Sequence, residues 1–322
     1  MAGLVAGVLV GAVDLPAREV IGVVVQRTVP VGVLVEDRVV HQIVWDGRVP
    51  RVLLAALIGA ALSVVGAVLQ TTVRNPLADP FVLGVSGGAT VGAVSVVVLA
   101  PPALVGLGTS GAAFAGAVLA FVAVVAVARG PSGTPPERLV LAGVVVGAVL
   151  SAVTSWLVLL TRSSQAAQGV LFWLLGSLGG ARWDDLGLPA LALVAGVAVL
   201  AARTRSLDAL AAGDDVAASL GVPVERTRWI AVTVACLLTG TAVSVSGAVG
   251  FVGLVVPHLV RLVVGPGHAR LLPGCVVAGA ALVVVVDLLA RTAVAPRELP
   301  LGVVTAIVGA PVFLLVQRRR MA

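Results

Sequence analysis

Between Asp79 and Arg129 the chain runs forty-nine residues, Pro80–Ala128, without one charged side chain. A bilayer core of ~30 Å takes about 20 apolar residues as a helix. No water is present there to satisfy the backbone, so a segment this apolar pairs its own N–H and C=O groups as helix. The run is long enough for two crossings, and Pro101-Pro102 with the Gly106–Gly111 stretch breaks it between them. Further apolar runs follow the same logic: Val52–Val73, Leu139–Thr161, Leu186–Ala202, Trp229–Pro257, Leu271–Val286 (reaching Ala290 across Asp287) and Leu299–Gln317. Met1–Val13 is short for a crossing and reads as a clipped first helix that starts upstream; with no basic stretch ahead of it, it does not read as a cleaved signal peptide. The expectation is an all-α integral membrane protein with nine or ten spans, a single transmembrane domain over 1–322 in a cell membrane, contacting lipid.

Composition excludes the main alternatives. The chain is 59% hydrophobic and 11% charged, where a soluble domain carries roughly 25% charge. A soluble enzyme, a disordered chain and a nucleic-acid binder are all ruled out. The net charge of +6 is no nucleic-acid signature, because its arginines are scattered rather than clustered on one face. Cys236 and Cys275 lie inside apolar runs with no metal or disulfide spacing. His41 and His268 fall in loops and carry no signal.

Arginine in the loops sets the orientation. With a cytoplasmic N-terminus and ten spans, twelve arginines lie inside, including Arg74, Arg203, Arg228 and the Arg318-Arg319-Arg320 triplet, and nine lie outside. Five of those nine sit in one expected outer loop, 14–51. The longest charged inner loop is 203–228.

Shifting the sequence by 181 residues lays Gly59–Gln70 over Gly240–Phe251 with seven of twelve positions identical, among them Gly59/Gly240, Ser63/Ser244 and Gly66/Gly247; Pro76 then falls on Pro257. The copies lie five spans apart and so run in opposite directions. Inverted repeats are a transporter architecture, with the pathway between the copies. Gly59, Ser63, Gly66 and Ala67 at steps of three and four also suit close helix packing alone.

The most distinctive stretch is Arg74-Asn75-Pro76-Leu77-Ala78-Asp79-Pro80, continued by Leu83-Gly-Val-Ser-Gly-Gly-Ala89. Its prolines stop a helix, and Arg74 and Asp79 can pair across the turn. Together with Arg48-Val-Pro-Arg51, Leu141-Ala-Gly143, Phe172-Trp-Leu-Leu-Gly-Ser177, Leu207–Gly221, Gly250-Phe-Val-Gly-Leu-Val-Val-Pro257-His258, Glu298–Thr305 and Gly309–Phe313, it closely resembles the FecCD-like permeases. These are the membrane subunits of ABC importers for ferric siderophores, haem and cobalamin.

The resemblance implies ten helices per subunit and a dimer, homo- or heterodimeric, with the pathway at its centre. It also implies an ATP-binding cassette ATPase dimer below and an extracytoplasmic substrate-binding protein outside. The segment containing Leu207, Asp208, Leu210, Gly213, Asp214, Asp215, Ala218, Leu220 and Gly221 matches the element that docks into the ATPase. Arg48, Arg51 and Arg291 match arginines that meet acidic residues of the binding protein; anchoring of helix ends and, for Arg291, an i,i+4 pair with Asp287 are the alternatives. Ser151, Thr154 and Ser155 are the polar members of the helix expected to line the pathway. His258 reads as a packing residue.

The chain has no GxxxxGK[ST] loop, so it is expected to be no enzyme and to hold no cofactor, ATP and magnesium being bound by the partner ATPase. Ferric siderophore is the expected cargo, with cobalamin and haem as alternatives. An ion-coupled secondary transporter is the competing class, but it needs midplane acids or histidines, and only Asp287 comes near.

Overall fold

A computed structural model of the chain describes residues 2–11, 13–29, 35, 37–99, 108–130, 134–161, 164–295 and 297–321. The break expected at Pro101-Pro102 and Gly106 lies outside the described residues. Fourteen helices are described: α1 (Ala2–Leu9), α2 (Ala17–Thr28), α3 (Arg38–Thr72), α4 (Val85–Leu99), α5 (Gly108–Ala128), α6 (Pro136–Leu159), α7 (Ser164–Leu175), α8 (Gly187–Ala201), α9 (Thr204–Ala212), α10 (Asp214–Ser219), α11 (Val224–Ser246), α12 (Val252–Val264), α13 (His268–Thr292) and α14 (Leu301–Met321). Among the described residues there is no strand. Six helices are long and apolar enough to cross a membrane, and α4, α7, α12 and α14 contribute shorter apolar stretches.

Helix α3 is the axis of the fold. Its most apolar window is 83% buried, against 22% for α6 and α8, which face outward. Small residues let neighbouring backbones approach it. Gly59 packs on Gly279 of α13, and Gly66 packs on Gly253 of α12. The α4–α5 contact repeats the device with Gly88 on Gly116 and Gly92 on Ala112. Arg51 meets Asp287 at one end of the α3–α13 pair and Thr71 meets His268 at the other, so the two helices are antiparallel.

The inner ends of α3 and α11 lie together, because Asp214 is near both Arg74, just past α3, and Arg228, at the start of α11. The helices carrying the two repeat copies therefore run oppositely. The copies differ locally. The first is helical throughout, whereas the second leaves the helix at Gly247, where φ is +68°. The expected run Trp229–Pro257 is accordingly two helices separated by residues 247–251.

Two segments lie within the bundle outside α-helix, the first of them carrying only a 3-10 turn at Pro80–Leu83. Leu62 is ten residues from the end of α3, ~15 Å at 1.5 Å per residue. A Cβ on Gly253 would touch both the Leu62 carbonyl oxygen, at 3.0 Å, and Pro80 Cδ, at 2.8 Å. The chain after Thr72 thus turns back to the level of Leu62 before α4 begins, and α12 begins at the same depth.

Segment 14–51 is not a loop. It contains α2 and the first part of α3, whose Gln42–Arg48 stretch is π-helical. Val20, Val23, Val40 and Val44 bury one another there in a satellite core, which is what makes the charged segment fold. Arg74 and Asp79 do not pair: Asp79 accepts a hydrogen bond from the Phe81 amide at 3.0 Å, and Arg74, with φ at +53°, reaches toward Asp214 at 3.9 Å.

Candidate functional site

The inner face is built by α9 and α10. Gly213, at φ +124°, separates them, and Gly221, at φ +75°, follows α10. The two helices have distinct inward anchors. From α9, Leu207 and Leu210 are fully buried, so these two residues seat the element on the membrane core rather than offering it outward. Asp208 bonds His268 at the start of α13 at 2.6 Å. From α10, Asp214 takes a bidentate pair from Arg228 at 2.8 Å for each oxygen, and Arg228 also donates to the Thr134 carbonyl at 3.2 Å. Exposed on the element are Asp208, Asp215, Ala218, Leu220 and Gly221, with Ala211, Ala212, Val216 and Ser219 beside them. Val216 was not singled out from the sequence, although its place in the element made it visible there.

At mid-depth three segments far apart in sequence converge. Gly247 lies against the end of α7: a Cβ there would stand 2.2 Å from the Trp173 carbonyl oxygen. The Ser177 amide donates to the Ser246 carbonyl at 2.8 Å, and the Leu301 amide to the Gly176 carbonyl at 2.9 Å. These contacts bring the Phe172–Ser177, Gly250–His258 and Glu298–Thr305 motifs together. They border a cavity of about 640 Å³ lined by Asp79, Phe81, Leu174, Phe251, Gly302 and Ile307 among others, in which Asp79 is the sole titratable lining residue. A second cavity of about 410 Å³ shares Phe81 and Ala248 with it and continues along Gly84, Ser86, Gly143 and Gly147. Irregular backbone at membrane depth is tolerated only where it is packed in protein or lines a cavity, and here it does both.

Of the motif residues, Asn75 accepts from the Leu77 amide at 2.9 Å and closes the turn, with Pro76 exposed beside it. Pro80 is buried against Gly253. Pro257 is buried within α12, and His258 packs edge-on to Phe313 with ring centroids 6.2 Å apart. On α6, Ser151 and Ser155 are exposed, while Thr154 is buried and donates back to the Leu150 carbonyl at 2.9 Å. Thr154 therefore lies at the packed edge of the strip that Ser151 and Ser155 expose.

The three outer arginines are buried and have partners within the chain, and the i,i+4 pair of Arg291 with Asp287, weighed beside docking, is present. Arg51 donates to Asp287 at 2.9 Å and to Glu298 at 2.8 and 3.0 Å. Arg291 lies 3.1 Å from the other Asp287 oxygen and donates to the Gly7 carbonyl at 3.0 Å. Arg48 donates to the carbonyls of Val8, Leu9 and Val13. Two guanidiniums thus hold carbonyl groups at the end of α1, which has no following turn to satisfy them. Glu298, half-exposed and inside a quoted motif, was not assigned this role from the sequence. No group of three or more His, Cys, Asp or Glu side chains suited to a metal occurs among the described residues.

The sequence profile of the FecCD transport family matches residues 1–319. The chain is 47% identical over 278 residues to the cobalamin import system permease protein BtuC of Halobacterium salinarum, covering 86% of this chain and 74% of that one. It is 40% identical over 279 residues to the vitamin B12 import system permease protein BtuC of Escherichia coli, covering 86% of this chain and 84% of that one. A solved structure of a metal-chelate type ABC transporter in an inward-facing conformation superposes with a TM-score of 0.81 at 26% identity, covering 98% of this chain and 95% of the other. The protein is therefore a multi-pass inner-membrane protein, and its family works with an ATPase and a substrate-binding partner. The chain belongs to the FecCD transport family and is the non-enzymatic permease subunit of an ABC importer.

Proposed function

We propose that this permease imports a cobalamin-type corrinoid. The cargo class rests on its likeness to the two cobalamin permeases. The observation that carries a large, weakly held cargo is the mid-depth cavity, wide and apolar, with Asp79 alone among its lining residues able to ionise. A bulky chelate with spread charge passes such a wall without being trapped, whereas a coupling ion needs a cluster of ligands there. This favours the ATP-driven reading over an ion-coupled one.

In this reading the exposed Asp215, Ala218 and Leu220 meet the ATPase dimer, which binds ATP and magnesium. Ser151 and Ser155 on the outward face of α6 look toward the pathway and a second permease subunit. Ferric siderophore is the second reading, favoured by the metal-chelate type of the structural neighbour.

The test is uptake into proteoliposomes containing this chain, its ATPase and an external binding protein, with labelled cyanocobalamin or labelled ferric siderophore. The proposal expects cobalamin uptake that needs both ATP and the binding protein. Siderophore uptake alone replaces the cargo. Uptake driven by an ion gradient without the ATPase overturns the ABC-driven mechanism.

A further inference from the structure

We propose that His268 is the positioning residue through which the first coupling helix, α9, drives the core pair α3–α13. The inference rests on the importer reading above and adds the route by which nucleotide-driven motion enters the membrane.

His268 is buried at the first position of α13 and ties three helices in one side chain. Its Nδ1 lies 2.6 Å from Asp208 Oδ1 on α9. Its backbone amide donates to the same oxygen at 2.9 Å. Its Nε2 lies 2.9 Å from Thr71 Oγ1 on α3. The carboxylate thus caps α13 from a different helix, satisfying an N–H that α13 leaves unpaired and placing negative charge at its positive end. Thr71 has one hydroxyl proton and two partners within reach, the His268 ring and the Ala67 carbonyl at 3.0 Å. With Nδ1–H donated to Asp208, a neutral ring takes the Thr71 proton at Nε2, and a doubly protonated ring gives its own proton to Thr71, which then donates to Ala67. In either case the chain from Asp208 to α3 is unbroken.

The surroundings make this joint a stiff one. Leu207 and Leu210 flank Asp208 and are 1% and 0% exposed, so α9 cannot slide without moving what it sits on. Asp208 itself is 44% exposed, on the face where a partner would press. Beyond the joint, α3 and α13 stay in contact through Gly59 and Gly279 and are closed at the outer end by Arg51 and Asp287. Helix α10 has a different address, since Asp214 is tied to Arg228 on α11. Helix α10 is thus tied chiefly to α11, with Arg74 just past α3 reaching Asp214 only at 3.9 Å, whereas α9 reaches the central pair through His268.

Spatial continuity is not energetic coupling, so the test measures coupling itself. In proteoliposomes holding the complete importer, ATP hydrolysed and cargo taken up are counted in the same sample. His268→Asn keeps a donor near the Nδ1 position and removes the reach to Thr71. Thr71→Val keeps the shape of its side chain and removes the hydroxyl. Each is expected to lower cargo moved per ATP by fivefold or more. Asp208→Asn combined with His268→Asn is expected to lose no more than the worse single change, because both act on one link.

An unchanged ratio overturns the inference, and so does a variant that loses the ATPase from the purified complex, which would make the residue a docking or folding element. If the His268→Asn permease does not fold well enough to be purified at all, Thr71→Val decides. A wild-type complex with no ATP-driven uptake overturns the importer reading together with this one; a coupled wild type with equally coupled variants overturns this one alone.

Discussion

A Cβ on Gly59 would lie 2.1 Å from the Gly279 carbonyl oxygen, and a Cβ on Gly279 would lie 2.2 Å from the Gly59 carbonyl oxygen. The obstructing atoms are backbone and cannot swing aside. Gly59→Ala and Gly279→Ala are each expected to cost about 2 kcal/mol or more by overpacking, and to lower the thermal midpoint in detergent. Gly169→Ala, on α7 with open space around it, is the control and should leave the midpoint unchanged or slightly raised. Equal midpoints for all three variants would remove α3–α13 contact as a determinant of stability.

Asp287 stands between Arg51 and Arg291, at 2.9 and 3.1 Å, with 1% of its side chain exposed. Neutralising it leaves two guanidiniums buried beside each other. Asp287→Asn is expected to destabilise by roughly 3–5 kcal/mol, the range for breaking a buried pair by removing one member. Adding Arg291→Gln should recover part of that loss, since it also removes the uncompensated charge. The double variant being no more stable than Asp287→Asn would show that the two charges do not interact.

Gly247 combines a positive-φ backbone, φ +68° and ψ −161°, that glycine alone readily adopts with a wall. A side chain there meets a conformational cost of about 1–3 kcal/mol and also the Trp173 carbonyl, 2.2 Å from the added carbon. Gly247→Ala is expected to abolish ATP-driven uptake and to lower the yield of monodisperse protein in gel filtration. Gly187→Ala, at a position with nothing within 4 Å, should do neither.

Arg228 holds α10 through both Asp214 oxygens and is itself 4% exposed at its side chain. Without it α10 loses its one charged anchor to α11. Arg228→Gln is expected to speed trypsin cleavage at Arg203, Arg205 and Arg226 several-fold, read by mass spectrometry under native conditions. Cleavage at the wild-type rate would mean that the burial of Ala217 is enough to hold the helix.

Much of this was legible in the sequence because lipid leaves few options. Uncharged runs such as Leu139–Thr161 and Leu186–Ala202 marked their helices through hydropathy alone, and the small residues at Gly59, Ser63 and Gly66 announced a tight contact. The family motifs marked the Phe172, Gly250 and Glu298 segments but not that they meet, since convergence depends on contacts between residues 69 or more positions apart, such as Ser177 and Ser246. The unwinding at Gly247 was hidden for a different reason: its repeat partner, Gly66, carries nearly the same neighbours and stays helical. His268 looked like a loop residue, because the aspartate that gives it a role lies sixty positions away. The Arg291–Asp287 pair was legible from its four-residue spacing, whereas the burial of Arg48 was not, because the valines that fold segment 14–51 are spaced among charges.

Helices α4 and α12 both begin near the middle of the bilayer, with their first residues beside the cavities. The opening N–H groups of a helix carry partial positive charge. At α12 that end borders the larger hollow, which the Asp79 carboxyl also lines, and at α4 it borders the smaller one. A wall that is apolar in its side chains is thus polar in its backbone, because the two starts bring opening N–H groups to a depth where a helix crossing the whole bilayer presents none.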